Sequence, residues 1–129
     1  MRNYLWLLLF VIQFVLPTFA CKCDHSYLDP LLKEPKTAKI AFTAEVSRIE
    51  MDKFNSHIVV LKVLKAWSGI KDATVTLNDP VASSCGIGFN EGERVLILAQ
   101  ELSPGMIVNM CRLISLPLEK ASKIIGRLE

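Results

Sequence analysis

Ile40-Ala41-Phe42-Thr43-Ala44-Glu45-Val46-Ser47-Arg48-Ile49 places Ile40, Phe42, Ala44 and Val46 on one side and Thr43, Glu45 and Ser47 on the other. A two-residue period is that of a strand with one buried face and one wet face. Asp52-Lys53-Phe54-Asn55 then reads as a turn. It leads into Ile58 to Trp67, a β-branched run with Val59, Leu61, Val63 and Trp67 on one face and Lys65 interrupting it. Ser68-Gly69 turns the chain again. Ala73, Val75 and Leu77 alternate with Thr74 and Thr76 in a third strand, which Asn78-Asp79-Pro80 breaks. Arg94 to Gln100 is nearly all apolar, as a strand buried on both faces would be. After the turn Ser103-Pro104-Gly105, a fifth strand is expected from Met106 to Met110. Beyond Pro117, Leu118, Ala121, Ile124, Ile125 and Leu128 recur at helical spacing and predict a closing helix of about ten residues. The expectation is a mainly β domain, a five-stranded Greek-key barrel of the oligonucleotide/oligosaccharide-binding type with a C-terminal helix. Closure would hide the sheet's edges.

The residues ahead of this domain have a different character. Arg2 is followed by an apolar run from Leu5 to Leu16, broken only by Gln13, and then by Pro17-Thr18-Phe19-Ala20. A charged start, an apolar middle and small residues three and one before a cut form the layout of a secretory signal. Residues 1–20 are expected to be that signal, cut between Ala20 and Cys21, with residues 21–129 secreted or periplasmic. The run is short for a membrane span, which needs about 20 apolar residues. The anchored alternatives are an uncleaved leader or a bacterial lipoprotein acylated on Cys21. Lipoprotein signals normally carry Leu where Thr18 stands.

The 109 residues after the cut suit one domain with one modest core. Without Arg2 the count is 14 Lys and Arg against 13 Asp and Glu. A near-neutral chain with interspersed signs lacks the clustered cations of a nucleic-acid binder. A monomer is expected.

All four cysteines, Cys21, Cys23, Cys85 and Cys111, follow the cut. In an oxidising compartment an even count in a small domain reads as two disulfides. A zinc site would show close pairs of ligands at both ends, and only Cys21 and Cys23 are close. One intervening residue strains a bridge between those two. Two arrangements remain: Cys21 with Cys85 and Cys23 with Cys111, or Cys21 with Cys111 and Cys23 with Cys85. Either ties the N-terminus to two distant segments.

In order and spacing the chain resembles the netrin-like domain of the tissue inhibitors of metalloproteinases. The likeness rests on Cys21-Lys22-Cys23 after the cut, Phe42-Thr43-Ala44-Glu45-Val46, Val63-Leu64-Lys65-Ala66-Trp67-Ser68-Gly69, Ser83-Ser84-Cys85-Gly86 with Phe89 and Gly92, and Val95 to Ala99 leading to Cys111. It implies the pairing Cys21–Cys85 and Cys23–Cys111. It also implies an inhibitor whose N-terminal Cys21 gives its α-amine and carbonyl oxygen to the catalytic zinc of a target protease. Lys22 would enter the adjacent pocket, and Cys23, Asp24, Ser83 and Ser84 would line the contacting edge. The zinc is the target's, and no cofactor or metal of the protein's own is implied. Members of that family usually carry a small residue at the position of Lys22. A buried ammonium requires an acidic partner, so Lys22 implies either a different target or none. The domain's third disulfide has no counterpart here. Netrin-like domains also serve as protein-binding modules that inhibit nothing, and that is the alternative expectation, with or without a lipid anchor on Cys21.

The remaining chemistry-bearing residues read as structural. His25 and His57 are expected at the surface, Asp24 and Asp29 in turns or helix caps, and Trp67 in the core. Ser83-Ser84 lacks the glycine elbow of a nucleophile. Gly86-Ile87-Gly88 lacks the rest of a nucleotide fingerprint. Glu119, Lys120 and Lys123 suit a helix surface. No enzyme is expected.

Overall fold

Strand β1 (Ile40–Met51) runs through the middle of the sheet, antiparallel to β2 (His57–Ser68) on one side and to β4 (Arg94–Ala99) on the other. The computed structural model describes residues 21–129 except Asp24 and Ser84. The proposed leader therefore lies outside the described residues. β3 (Thr74–Asp79) pairs with β2, and β5 (Leu113–Pro117) pairs with β4, giving the order β3-β2-β1-β4-β5. Three hairpin-linked strands with the fourth returning beside the first form a Greek key.

Two apolar clusters cover the two faces of this sheet. Ile40, Phe42, Ala44 and Val46 join Val59, Leu61, Leu77, Val95, Ile97 and Ala99 on one face, capped by Phe89, Val108 and Leu113. On the other face, Ala41, Leu96, Leu98 and Ile114 meet Leu31 of helix α1 (His25–Lys33) and Leu128 of helix α2 (Ser122–Leu128). β4 is buried on both faces from Val95 to Ala99, as its continuous apolar run implies. The first half of β1 is buried on both faces too, Thr43 included, where one wet face was expected. The second cluster covers Ala41 there.

Several expectations need correction. The sheet does not close into a barrel: β3 and β5 are its edges. The expected fifth strand, Met106 to Met110, makes a single parallel bridge, Ile107 to Asn78. It ends in a turn in which the Asn109 carbonyl accepts from the amides of Arg112 and Leu113. That turn spends the segment that would have closed the barrel, and the real fifth strand starts at Leu113. Trp67 packs against the helix-covered cluster, not with Val59, Leu61 and Val63. The register of β2 against β1 skips Leu64 and Trp67, and such bulges shift side chains between faces. Lys65 interrupts the apolar alternation for the same reason. Its ammonium lies 5.2 Å from the Trp67 ring and 2.6 Å from a Glu129 carboxylate oxygen. That hydrogen bond holds the exposed Glu129 carboxyl below its usual range.

Helix α1 was not anticipated. Pro30 sits inside it, and a proline reads in sequence as a helix breaker. Tyr27, Leu28 and Leu31 nevertheless share a face against the sheet. Arg127 of α2 donates to the carbonyl oxygens of Leu32 and Lys33 (3.3 and 3.2 Å), satisfying the last turn of α1. The closing helix is seven residues long, preceded by a 3-10 turn at Leu118–Lys120. Gly69, at φ 77°, turns β2 toward β3 where a Cβ would overlap the Lys39 carbonyl oxygen. Among the described residues no helix is long and apolar enough to cross a membrane.

Candidate functional site

The Greek-key connection from β3 to β4 carries Cys85, and the connection from β4 to β5 carries Cys111. Disulfides Cys21–Cys85 and Cys23–Cys111 fasten the segment ahead of α1 to both, with Cα–Cα distances of 5.1 and 5.0 Å. The structure thus selects one of the two open arrangements, the one the netrin-like resemblance implies. All four cysteines are half-buried while Lys22, between two of them, is exposed. Residue 22 is thereby held by covalent bonds on both sides and left with its side chain outside.

The bridges lie against each other, with the Cys21 and Cys111 sulfurs 3.6 Å apart. Disulfide sulfurs carry no hydrogen, so this is a van der Waals contact. The sulfurs of Cys21, Cys23 and Cys111 also form the one cluster of metal-ligating groups among the described residues. All three are consumed in disulfides, and a metal needs thiolates, so the cluster is a staple and not a zinc centre.

Local hydrogen bonds fix the two connections. The Met110 amide donates to the Cys85 carbonyl oxygen at 3.0 Å, joining one connection to the other beside the bridges. The Cys111 amide donates to Asn109 Oδ1 at 2.7 Å. The Cys85 amide donates to Ser83 Oγ at 3.2 Å. Ser83 is exposed and acts as a turn cap, in keeping with the absence of a nucleophile elbow. Asp24 and Ser84, expected on the same edge, lie outside the described residues, as does the side chain of His25. The Arg112 guanidinium sits 5.4 Å from the Tyr27 ring centre, clamping the Cys111 turn to α1.

Gly86 is required here by close packing. A Cβ would stand 2.6 Å from the Pro80 carbonyl oxygen and 2.9 Å from its carbon. Both are backbone atoms, so the loop itself would have to move. Gly86→Ala is expected to destabilise the protein by about 1–3 kcal/mol, the usual range for overpacking. Urea unfolding checks this, and an unchanged midpoint would refute the tight fit.

Asp79 is the site residue that sequence inspection missed, because Asn78-Asp79-Pro80 reads only as a strand breaker. It is fully buried, and both its oxygens accept backbone amide hydrogens, from Ile87 at 2.7 Å and Gly88 at 2.8 Å. No sequence rule pairs an aspartate with amides eight and nine residues on.

Beside the edge runs an open, mainly apolar groove of about 330 Å³ lined by Leu28, Leu32, Ile87, Met110, Leu113 and Leu116. Ile107 and Met110 on the neighbouring connection are exposed. Of the other candidates, Trp67 is half-buried in the second cluster, consistent with a core role. His57 is also half-buried, opposite Asp79 in the β2–β3 register and opposite Met51 in the β1–β2 register.

No protein-family model matches this chain, and no curated protein matches it in sequence.

Proposed function

We propose that the exported protein inhibits a zinc metalloprotease through the backbone of Cys21, after removal of residues 1–20. The observation that carries this is the double tether: Cys21 and Cys23 are each bonded to a different connection, with Lys22 exposed between them. Catalytic zinc keeps a position that water normally fills. The α-amine nitrogen and the carbonyl oxygen of one residue are close enough to chelate such a metal and displace that water. An α-amine has a reference pKa near 8, so its deprotonation near neutral pH costs little. Tethering removes most of the ordering cost on binding. The apolar groove and the exposed Ile107 and Met110 supply the non-polar surface that a protein partner covers. The order of motifs from Cys21 to Cys111, shared with the netrin-like inhibitors, supports the same conclusion.

Lys22 sets the kind of target. An ammonium entering a pocket beside the zinc is favourable only where a carboxylate receives it. The test is a titration of the processed protein against a panel of zinc endopeptidases that includes members with acidic pockets. Stoichiometric inhibition of an acid-pocket member is expected. Lys22→Asp should weaken that inhibition by roughly tenfold or more, through loss of a buried charge pair and creation of a like-charge contact. Failure to inhibit any member would leave a non-inhibitory binding module.

A further inference from the structure

Both cysteine-bearing connections are anchored on one dipeptide at the end of β3. The backbone of Asn78 donates to the Met106 carbonyl oxygen and accepts from the Val108 amide, each at 2.9 Å, fixing the segment that leads to Cys111. The side chain of Asp79 takes the amides of Ile87 and Gly88, fixing the segment that follows Cys85. Asp79 is the one fully buried charged side chain among the described residues. An ionised carboxylate out of water needs strong compensation, and two aligned amide donors give it charge-assisted hydrogen bonds. Apart from the Cys21–Cys85 bridge and the Met110 amide's bond to the Cys85 carbonyl oxygen, which join it to the N-terminal segment and to the other connection, the backbone hydrogen bonds of the loop from Pro80 to Gly88 among the described residues are local turns, Val81 to Asp79, Ser83 to Pro80 and Gly86 to Ser83.

We propose that Asp79 is a positioning residue for the N-terminal edge: its carboxylate locks the Cys85 loop and, through the Cys21–Cys85 bridge, the place of the Cys21 backbone. This rests on the inhibitor function proposed above, since what is positioned is the zinc-binding residue. Asp79 itself touches no target. An asparagine keeps one acceptor but turns its NH2 group toward the other backbone amide, so one hydrogen bond is lost and two donors face each other.

The test compares Asp79→Asn with Leu61→Ala, a core truncation in β2 remote in sequence from both connections. Both are expected to lower the melting temperature. Asp79→Asn should in addition weaken inhibition about tenfold or more, the loss of one hydrogen bond to a charged group. It should also speed reduction of Cys21–Cys85 by a dithiol relative to Cys23–Cys111, as mapped by alkylation and mass spectrometry. Leu61→Ala should do neither. Equal acceleration of both bridges in Asp79→Asn, or inhibition no weaker than in Leu61→Ala, would overturn the proposal. Selective reduction of Cys21–Cys85 without inhibition in any variant, wild type included, would support the anchor and defeat the inhibitor function. If Asp79→Asn does not fold, hydrogen exchange on the unmutated protein decides. Slow exchange at Ile87 and Gly88 supports the anchor, and exchange at the rate of open-loop amides removes it.

Discussion

Adding a single alanine ahead of Cys21 in the processed protein is expected to lower inhibition of the target protease at least about 100-fold, close to abolition. The extension converts the Cys21 amine into an amide nitrogen whose lone pair is delocalised and unavailable to a metal. The new amine belongs to a residue whose Cα is about 3.8 Å further on, outside the two disulfide tethers. Nothing else changes: Cys21–Cys85, Cys23–Cys111 and the exposed Lys22 all persist. The melting temperature should therefore hold while the inhibition constant moves. Unchanged inhibition by the extended protein would refute chelation by the amine and shift attention to side-chain contacts along the edge.

Removing the Cys21–Cys85 bridge should have a large effect on stability. Its ends are 64 residues apart in sequence, and closing a loop of that size restricts the unfolded chain by roughly 4 kcal/mol in the entropy model. For a domain near 100 residues, a loss of that size lowers the melting temperature on the order of 15 °C or more. The variant Cys85→Ala with Cys21→Ser avoids leaving a lone thiol. Calorimetry should show the loss, and the proposed inhibition should fall as well, because the residue proposed to meet the zinc would lose its fixed position. A melting temperature within a few degrees of wild type would mean that the surrounding hydrogen bonds, such as Met110 to Cys85, hold the edge without the bridge.

How far the sequence foretold this fold depended on whether the deciding interactions were local. Strands β1 to β4 announced themselves because each buries alternate or continuous apolar residues, and the turns at Asp52 to Ser56 and at Gly69 use residues whose own chemistry makes turns. Asp52, for example, accepts from the amides of Phe54 and Ser56. The closing helix followed from its spacing. The misses are all long-range. Met106 to Met110 has strand composition, yet only Ile107 bridges β3, because the Asn109 turn interrupts it before Cys111. The short run Leu113–Pro117 became β5 because β4 offered it an edge. Helix α1 tolerates Pro30 because its apolar face is held down by the sheet. The side of the sheet on which Trp67 lands was set by bulges, which leave no mark in the sequence.

The candidate site divides in the same way. Cys21, Lys22 and Cys23 stand out beside the expected cut, and the need for two bridges follows from four cysteines. Which sulfur meets which depends on where the two connections come together, and that is a property of the sheet order. Asp79 was invisible because its role arises from amides on a different segment.

The most direct measurement is the intact mass and N-terminal residue of the protein recovered from cells that export the whole chain. The mass expected is that of residues 21–129 less the four hydrogens lost to Cys21–Cys85 and Cys23–Cys111, with unmodified Cys21 first. A residue retained ahead of Cys21, or an acyl group on its nitrogen, would contradict the account, because no amine would then be available to meet the zinc.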